Sequence, residues 1–265
     1  MAARTVLITG ASSGIGGAFA DVFAGEGFDL VITARRGQRL ADVADRVRGN
    51  HGRTVHVLVA DLADPNTPQH LCEEIERRGV VIDALVNNAG YGISGNFLAT
   101  DWNRHAAMVQ VMATAPAELI HRLLPGMIGR RYGRIINVAS LAALAPAPAG
   151  HTLYAATKAF LVKFSESLAN EVAPSGVHVT ALCPGFTLSE FHDVTGTRAK
   201  VSQLPGWLWM DSPTVARLGY DAVMQGTTIY VTGKVNQTIA ALARCVPQRL
   251  VVAVGRRIAG TYRKT

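Results

Sequence analysis

This 265-residue sequence predicts a doubly wound α/β fold, a three-layer sandwich around a seven-stranded parallel sheet with a helical tail at its C-terminus. Two observations carry that expectation. Short β-branched runs alternate with longer segments whose apolar residues recur at three and four, from the start of the chain to about residue 233. Hydrophobic residues make up 49% of the chain and charged residues 17%, enough apolar surface to offset the ordering entropy of a large core and to exclude a disordered chain.

Strands are expected near 5–9, 28–34, 53–59, 80–87, 133–139, 176–182 and 228–232, where β-branched residues cluster. Helices are expected near 14–26, 37–49, 67–78, 102–129, 152–173 and 213–225. Two stretches break the alternation: Ala142 to Gly150, rich in alanine and proline, and Thr187 to Asp211, which lacks periodicity. Both read as loops at the carboxyl edge of the sheet, where such folds shape their ligand sites. Residues 1–233 therefore read as one domain, and 234–265 as a helical extension of it interrupted by Pro247. Its residues Ile239, Leu242, Ala243 and Val246 share a face expected to pack on the body.

The net charge is +7, but Lys and Arg are scattered apart from Arg256, Arg257, Arg263 and Lys264. No nucleic-acid surface is expected from that pattern, and for the basic tail solvation is favoured over membrane contact. Cys72, Cys183 and Cys245 are widely spaced and form no CxxC pair, which points away from disulfides and bound metal and toward a reducing compartment. No signal peptide fits ahead of the apolar run Val6 to Ile8, and no stretch reaches the roughly 20 apolar residues of a membrane span. A cytoplasmic protein is expected.

The first strand, Thr5 to Thr9, runs into Gly10-Ala11-Ser12-Ser13-Gly14-Ile15-Gly16, and a helix follows. A Rossmann-type fold binds a dinucleotide pyrophosphate at such a turn, because the helix N-terminus offers free N–H groups and a positive dipole end. Gly10 suits the tight turn, Gly14 the approach of phosphates and Gly16 close helix packing, although a βα turn without a ligand would also use glycines here. The second strand ends Thr33-Ala34-Arg35-Arg36 with no acidic residue to hold the adenosine ribose hydroxyls. Arg35 or Arg36 offers a charged fork to a 2′-phosphate, so NADP(H) is expected in preference to NAD(H). Asp61, followed by Leu62 at the end of the third strand, is placed to meet the adenine edge or to cap the next helix.

Tyr154-Ala-Ala-Thr-Lys158 puts a phenol and an ammonium one helical turn apart, so both heads can approach one ligand. Tyr230-Val-Thr-Gly-Lys234 has the same spacing, but it lies at a strand end, where positions four apart are about 13 Å distant. Ser140 closes the strand that precedes the first pair. Tyr154 could then exchange a proton with a carbonyl or hydroxyl oxygen that Ser140 also holds, while Lys158 binds the nicotinamide ribose and favours the phenolate. His151 lies nearby without an assigned role.

In these residues the chain resembles the short-chain dehydrogenase/reductase family, from residue 4 to about 233. Thr9-Gly10-xxx-Gly14-Ile15-Gly16 is similar to the family's cofactor turn, Asn87-Asn88-Ala89-Gly90 to its central-strand motif near the adenosine, and Ser140, Tyr154 and Lys158 to its catalytic set. Pro184-Gly185 is similar to its segment beside the nicotinamide, with Thr187 or Ser189 supplying a hydroxyl. The resemblance implies a carbonyl–alcohol oxidoreductase with a small-molecule substrate, assembled as a dimer or tetramer. One departure stands out: Met112 occupies the position where the family usually carries an Asn that helps a water reach the lysine, and a thioether donates no hydrogen bond. That departure keeps open a weakened NADP-binding sensor or scaffold. The tail and Trp207, Leu208, Trp209 and Met210 keep open a membrane-associated reductase of long-chain acyl or lipid carbonyls.

Overall fold

The computed structural model describes residues 3–93, 95–145, 152–191, 195, 202 and 205–245. Seven parallel strands form the central sheet: β1 (Thr5–Thr9), β2 (Asp29–Ala34), β3 (Val55–Val59), β4 (Ala84–Asn87), β5 (Gly133–Val138), β6 (Val177–Cys183) and β9 (Ile229–Val231), in the order β3-β2-β1-β4-β5-β6-β9. The order reverses between β1 and β4, which opens a crevice at their carboxyl ends.

Alternate residues of each strand feed opposite cores, as the pleat requires. Val6 and Ile8 pack with Leu30, Ile32 and Ile136 against Phe19, Phe23 and Tyr220, under helices α1 (Gly14–Gly25), α2 (Gly37–His51) and, after residues described below, a helix at Ser212–Met224. Leu7, Val31, Leu85 and Ile135 point the other way, toward α3 (Thr67–Arg77), α4 (Trp102–Val109), α5 (Ala115–Gly129) and α6 (Thr152–Val172). Three layers result, with both faces of the sheet dry. The helix at Ser212–Met224 is α7, and α8 (Lys234–Cys245) follows β9.

Four local differences from the sequence reading have physical causes. The helix expected over 102–129 is interrupted by a π-turn at Gln110–Thr114 between α4 and α5. The fourth strand starts at Ala84 rather than near 80, because Asp83 turns its carboxylate to the Thr5 backbone N–H. The stretch 187–211 holds a second, parallel two-stranded sheet, β7 (Phe186–Leu188) with β8 (Trp209–Asp211). Its backbone pairing joins segments some 20 residues apart, beyond the reach of any local periodicity, and the Phe186 and Trp209 rings lie 5.5 Å apart.

On α8, Asn236 and Ala240 are the buried residues, whereas Ile239 and Leu242 are 37% and 60% exposed. Of the face read as core-packing, Ile239 and Leu242 are thus turned outward while Ala243 is half-buried. Val246, Pro247, the basic cluster at 256–264, His151 and most of 192–204 lie outside the described residues.

Candidate active site

The crevice between β1 and β4 is the entrance of a cleft of about 760 Å³, within the range of small-molecule sites. Of the residues assigned from sequence to cofactor or chemistry, all except Gly16 line it.

The turn after β1 is stitched to the turn after β4. Thr9 Oγ1 accepts the Asn88 and Ala89 N–H groups, each at 3.0 Å, and Asn88 Nδ2 donates to the carbonyls of Thr9 at 3.0 Å and Gly10 at 3.2 Å. The backbones approach so closely that a Cβ on Gly10, whose φ is +66°, would lie 2.8 Å from Ala89 Cα. On Gly16 it would lie 2.4 Å from both Asn88 Nδ2 and the Gly10 carbonyl, so Gly16 supports the turn from beneath rather than lining the cleft. Asn88 has the same supporting task.

Arg36 reaches back across this turn. Its guanidinium donates to Ser12 Oγ at 3.0 Å and to Ser13 Oγ at 2.8 Å. It also donates to Glu190 Oε2 at 2.8 Å, and Arg39 donates to the other oxygen of that carboxylate. These bonds hold the Glu190 carboxyl below its usual range. Arg35 turns away toward Asp61, 4.0 Å off and well exposed. Asp61 itself accepts the Ala63 N–H at 3.0 Å, closing the bend after β3, while Leu62 is buried beneath it.

The other end of the cleft is apolar and enclosed. α6 is anchored by a buried chain of bonds: Asn87 Nδ2 donates to Asn137 Oδ1, Asn137 Nδ2 to Ser165 Oγ, each at 2.9 Å, and Ser165 to the Leu161 carbonyl. From α6, Lys158 places its ammonium 2.7 Å from the Val138 carbonyl and 5.8 Å from the centre of the Tyr154 ring. Ser140, at the carboxyl end of β5, accepts the Ala142 N–H at 3.1 Å and hydrogen-bonds the Tyr154 phenol. The three side chains do converge. The decoy pair does not, since Tyr230 belongs to β9 and Lys234 begins α8 beyond Gly233.

Burial works against the charges here. Desolvation raises the Tyr154 phenol, with the Ser140 hydrogen bond pulling it partly back, and desolvation lowers the Lys158 ammonium to about 8. Burial of these side chains thus favours the neutral phenol and the neutral amine, with the Lys158 ammonium turned to the Val138 carbonyl. Met112 is fully buried, and a Cβ on Gly90 would lie 3.6 Å from its sulfur and 3.7 Å from Lys158 Nζ, so Gly90 has both side chains as neighbours.

Several cleft residues were not singled out from sequence. Phe191 packs its ring 5.5 Å from that of Tyr154, and Phe186, Tyr91 and Leu141 complete the apolar wall. Phe186 and Phe191 flank the Thr187 and Ser189 already noted, so their position was a readable signal. Glu190 gave none, because its pairing spans 154 residues. Pro184 and Gly185 line the cleft between the two ends, with Thr187 buried and Ser189 opposite Gly14.

A dinucleotide fits this cleft by observation of its residues. The Gly10–Gly14 turn lines the cleft so closely that a Cβ on Gly14 would lie 3.1 Å from Ser189 Cβ, and Arg35 and Arg36 line the cleft as well. Among the described residues no cluster of His, Cys, Asp or Glu could hold a metal ion, and no helix is long and apolar enough to cross a membrane.

Comparison with known proteins agrees with this geometry. The family model described as short chain dehydrogenase matches residues 4–199. An uncharacterized oxidoreductase of Staphylococcus saprophyticus is 34% identical over 182 residues, 69% of this chain and 77% of that protein. A solved short-chain dehydrogenase from Sphingobium yanoikuyae in complex with NADPH superposes with a TM-score of 0.80 at 31% identity, covering 96% of this chain and 93% of its own. Another from Burkholderia phymatum, in complex with NAD, gives 0.80 at 25% identity, covering 91% and 92%. The chain belongs to the short-chain dehydrogenase family and is an oxidoreductase that acts on the alcohol–carbonyl pair with NAD(P).

Proposed function

We propose that this protein is an NADP(H)-dependent reductase of an apolar ketone or aldehyde, with the site carried by the body formed by residues 1–233. The observation that supports it is the convergence of Ser140, Tyr154 and Lys158 at one end of a cleft whose other end presents Arg36 to Ser12 and Ser13.

Ser140 holds the substrate oxygen beside Tyr154. The raised phenol keeps its proton at neutral pH, which is the form that carbonyl reduction consumes, and Tyr154 Oη delivers that proton to the oxygen. Lys158, tethered to the Val138 carbonyl, retains further N–H donors for a ribose hydroxyl and lends positive charge to the phenol as the proton leaves. A nicotinamide bound here supplies the hydride. Gly10, Gly14, Ile15, Ser12 and Ser13 hold its pyrophosphate, and Arg36 the 2′-phosphate, with Asp61 and Leu62 beside the adenine. Ala89, Gly90, Pro184, Gly185, Thr187 and Ser189 shape the path between. Phe186, Phe191 and Leu141 favour an uncharged, apolar carbonyl.

The test is NADPH and NADH consumption across a panel of aldehydes and ketones, with Tyr154→Phe beside the parent. We expect turnover with NADPH, and a loss of about 10³-fold in kcat in the variant with NADPH binding retained. Equal rates in parent and variant would refute the role of the phenol. Tight NADPH binding with no turnover of any carbonyl would instead favour the sensor reading, for which a buried Met112 where the family usually carries an Asn is the supporting observation.

A further inference from the structure

We propose that Asn236, in the first turn of α8, is a positioning residue: its side-chain amide presses on the Gly185 backbone and so sets the nicotinamide-side wall of the cleft. The role of Pro184 and Gly185 beside the nicotinamide is that of the proposed function, on which this inference rests. It brings α8 into a reaction otherwise carried by residues 1–233.

The placement follows from the sheet. β6 and β9 pair through Ala181, Leu182 and Cys183 with Ile229, Tyr230 and Val231, and the Thr232 N–H extends the pairing by donating to the Cys183 carbonyl at 3.3 Å. The two strands therefore end side by side. Pro184 and Gly185 follow β6, while the chain after β9 turns at Gly233, whose φ is +83°, into α8. That turn brings Asn236 against Gly185. Asn236 is 5% exposed, and its Nδ2 donates to the Thr232 carbonyl at 2.7 Å, so the amide is dry and held in one orientation.

Gly185 is fitted to receive it. Its φ is not positive, so its dihedrals suit any residue, and what excludes a side chain is space. A Cβ there would lie 2.4 Å from Asn236 Nδ2, 2.6 Å from its Oδ1 and 2.7 Å from its Cγ. From the other side the segment is tied to the catalytic turn, because the N–H of Leu141, next to Ser140, donates to the Pro184 carbonyl at 2.8 Å. Pro184 and Gly185 are thus held between the Ser140 turn and α8. Moving either support shifts this wall against Ser140 and Tyr154, and a misplacement on the order of 1 Å costs up to about 10²-fold in rate.

The contact is separable from the docking of the helix. Gln237, exposed and next in sequence, fastens α8 to the Val231 carbonyl through Nε2 at 3.0 Å. Gln237→Ala therefore serves as the control for Gly185→Ala, Asn236→Ala and the two together. In the protein without cofactor, Gly185→Ala should lower Tm by about 4 °C in the parent and by about 1 °C or less once Asn236 is replaced, since the obstructing amide is gone. With NADPH and an accepted carbonyl, each of the two single variants should lose about tenfold in kcat, with the Kd for NADPH within about threefold of the parent. The pair should be no slower than Asn236→Ala alone, where independent losses would multiply to about 100-fold. The fluorescence emission of bound NADPH should shift in both single variants, and Gln237→Ala should leave emission unchanged and kcat within about twofold.

Additive Tm losses overturn the contact. A coupled Tm cycle with kcat and emission as in the parent reduces Asn236 to packing and overturns the positioning role, as does a loss of kcat in Gln237→Ala equal to that in Asn236→Ala. Should Gly185→Ala fold poorly, Asn236→Ala read against Gln237→Ala carries the same decision through kcat and emission. A parent that binds NADPH and turns over no carbonyl refutes the reductase reading instead, and the emission of the bound cofactor then decides the role of Asn236 by itself.

Discussion

The two ends of the cleft are built from opposite materials. At the adenosine end Arg36, Arg39 and Glu190 are 43, 48 and 41% exposed and paired with one another. At the other end Lys158 is 5% exposed, with one carbonyl as its protein partner and aromatic rings nearby. Charges that stay in water interact weakly and are screened by salt, so they can exchange one anion for another. A charge taken out of water has its protonation shifted instead. The cleft thus separates recognition from proton chemistry by solvent exposure, and each end should respond to mutation in its own way.

After Tyr154→Phe, the largest response is expected from Lys158→Met. Losing the donor and the positive charge should lower kcat with NADPH about 10²-fold. Stability should move the other way. The Lys158 pKa falls from 10.5 to about 8 on folding, so below pH 8 both states bind the proton and the folded state bears the full desolvation cost, about 3 kcal/mol. Between 8 and 10.5 the unfolded state holds more protons, and the parent gains stability as the pH rises. Removing the ammonium leaves the Val138 carbonyl unpaired, which costs about 1–2 kcal/mol. The variant should therefore be about 1–2 kcal/mol more stable at pH 7, with the advantage gone by pH 10.5. Urea unfolding at the two pH values measures it, and a variant less stable at pH 7 than at pH 10.5 relative to the parent would show that burial does not dominate at this lysine.

Arg36→Ala comes next, at the exposed end. A lost charge-assisted contact to a 2′-phosphate should raise the KM for NADPH about 10–30-fold and leave that for NADH within about threefold. Steady-state rates with each cofactor check this. A similar rise for both would mean that Arg36 serves the turn through Ser12 and Ser13 rather than the phosphate.

The same contrast explains what was legible in the sequence. The enclosed end is written in local patterns: strand ends carry Asn87, Ser140 and Pro184, and one helical turn joins Tyr154 to Lys158, so spacing placed each residue near its observed position. Repeated alternation likewise placed all seven strands of the sheet, since each βα unit is local. The two-stranded sheet was illegible because β7 and β8 pair three residues each across a long connection, giving neither periodicity nor a turn signal. Burial at Tyr154 and Lys158 is illegible for a related reason, as spacing shows which charges are neighbours but not how dry their surroundings are. On α8 the apolar spacing was seen correctly, but the side that met the body was fixed by small residues, Ala240 and Asn236, whose fit a hydrophobic pattern does not report.

Glu190 should give the smallest effect and the most informative sign. It descends from the end of β7 and occupies Arg36 and Arg39 together, the same two cations a 2′-phosphate would seek. If the carboxylate competes with the phosphate, Glu190→Gln frees both guanidinium groups and tightens NADPH about two- to fivefold, as expected for one exposed ion-pair network. NADH, which lacks the phosphate, should bind as before, and the gain should shrink in high salt. If instead Glu190 steers Arg36 into place over Ser12 and Ser13, the same substitution weakens NADPH. Fluorescence titration of parent and variant at two ionic strengths separates the outcomes by sign alone. A tightening would mean that Glu190 and the cofactor contend for the same cations, so that binding at the adenosine end releases the segment that also carries Phe191 against Tyr154.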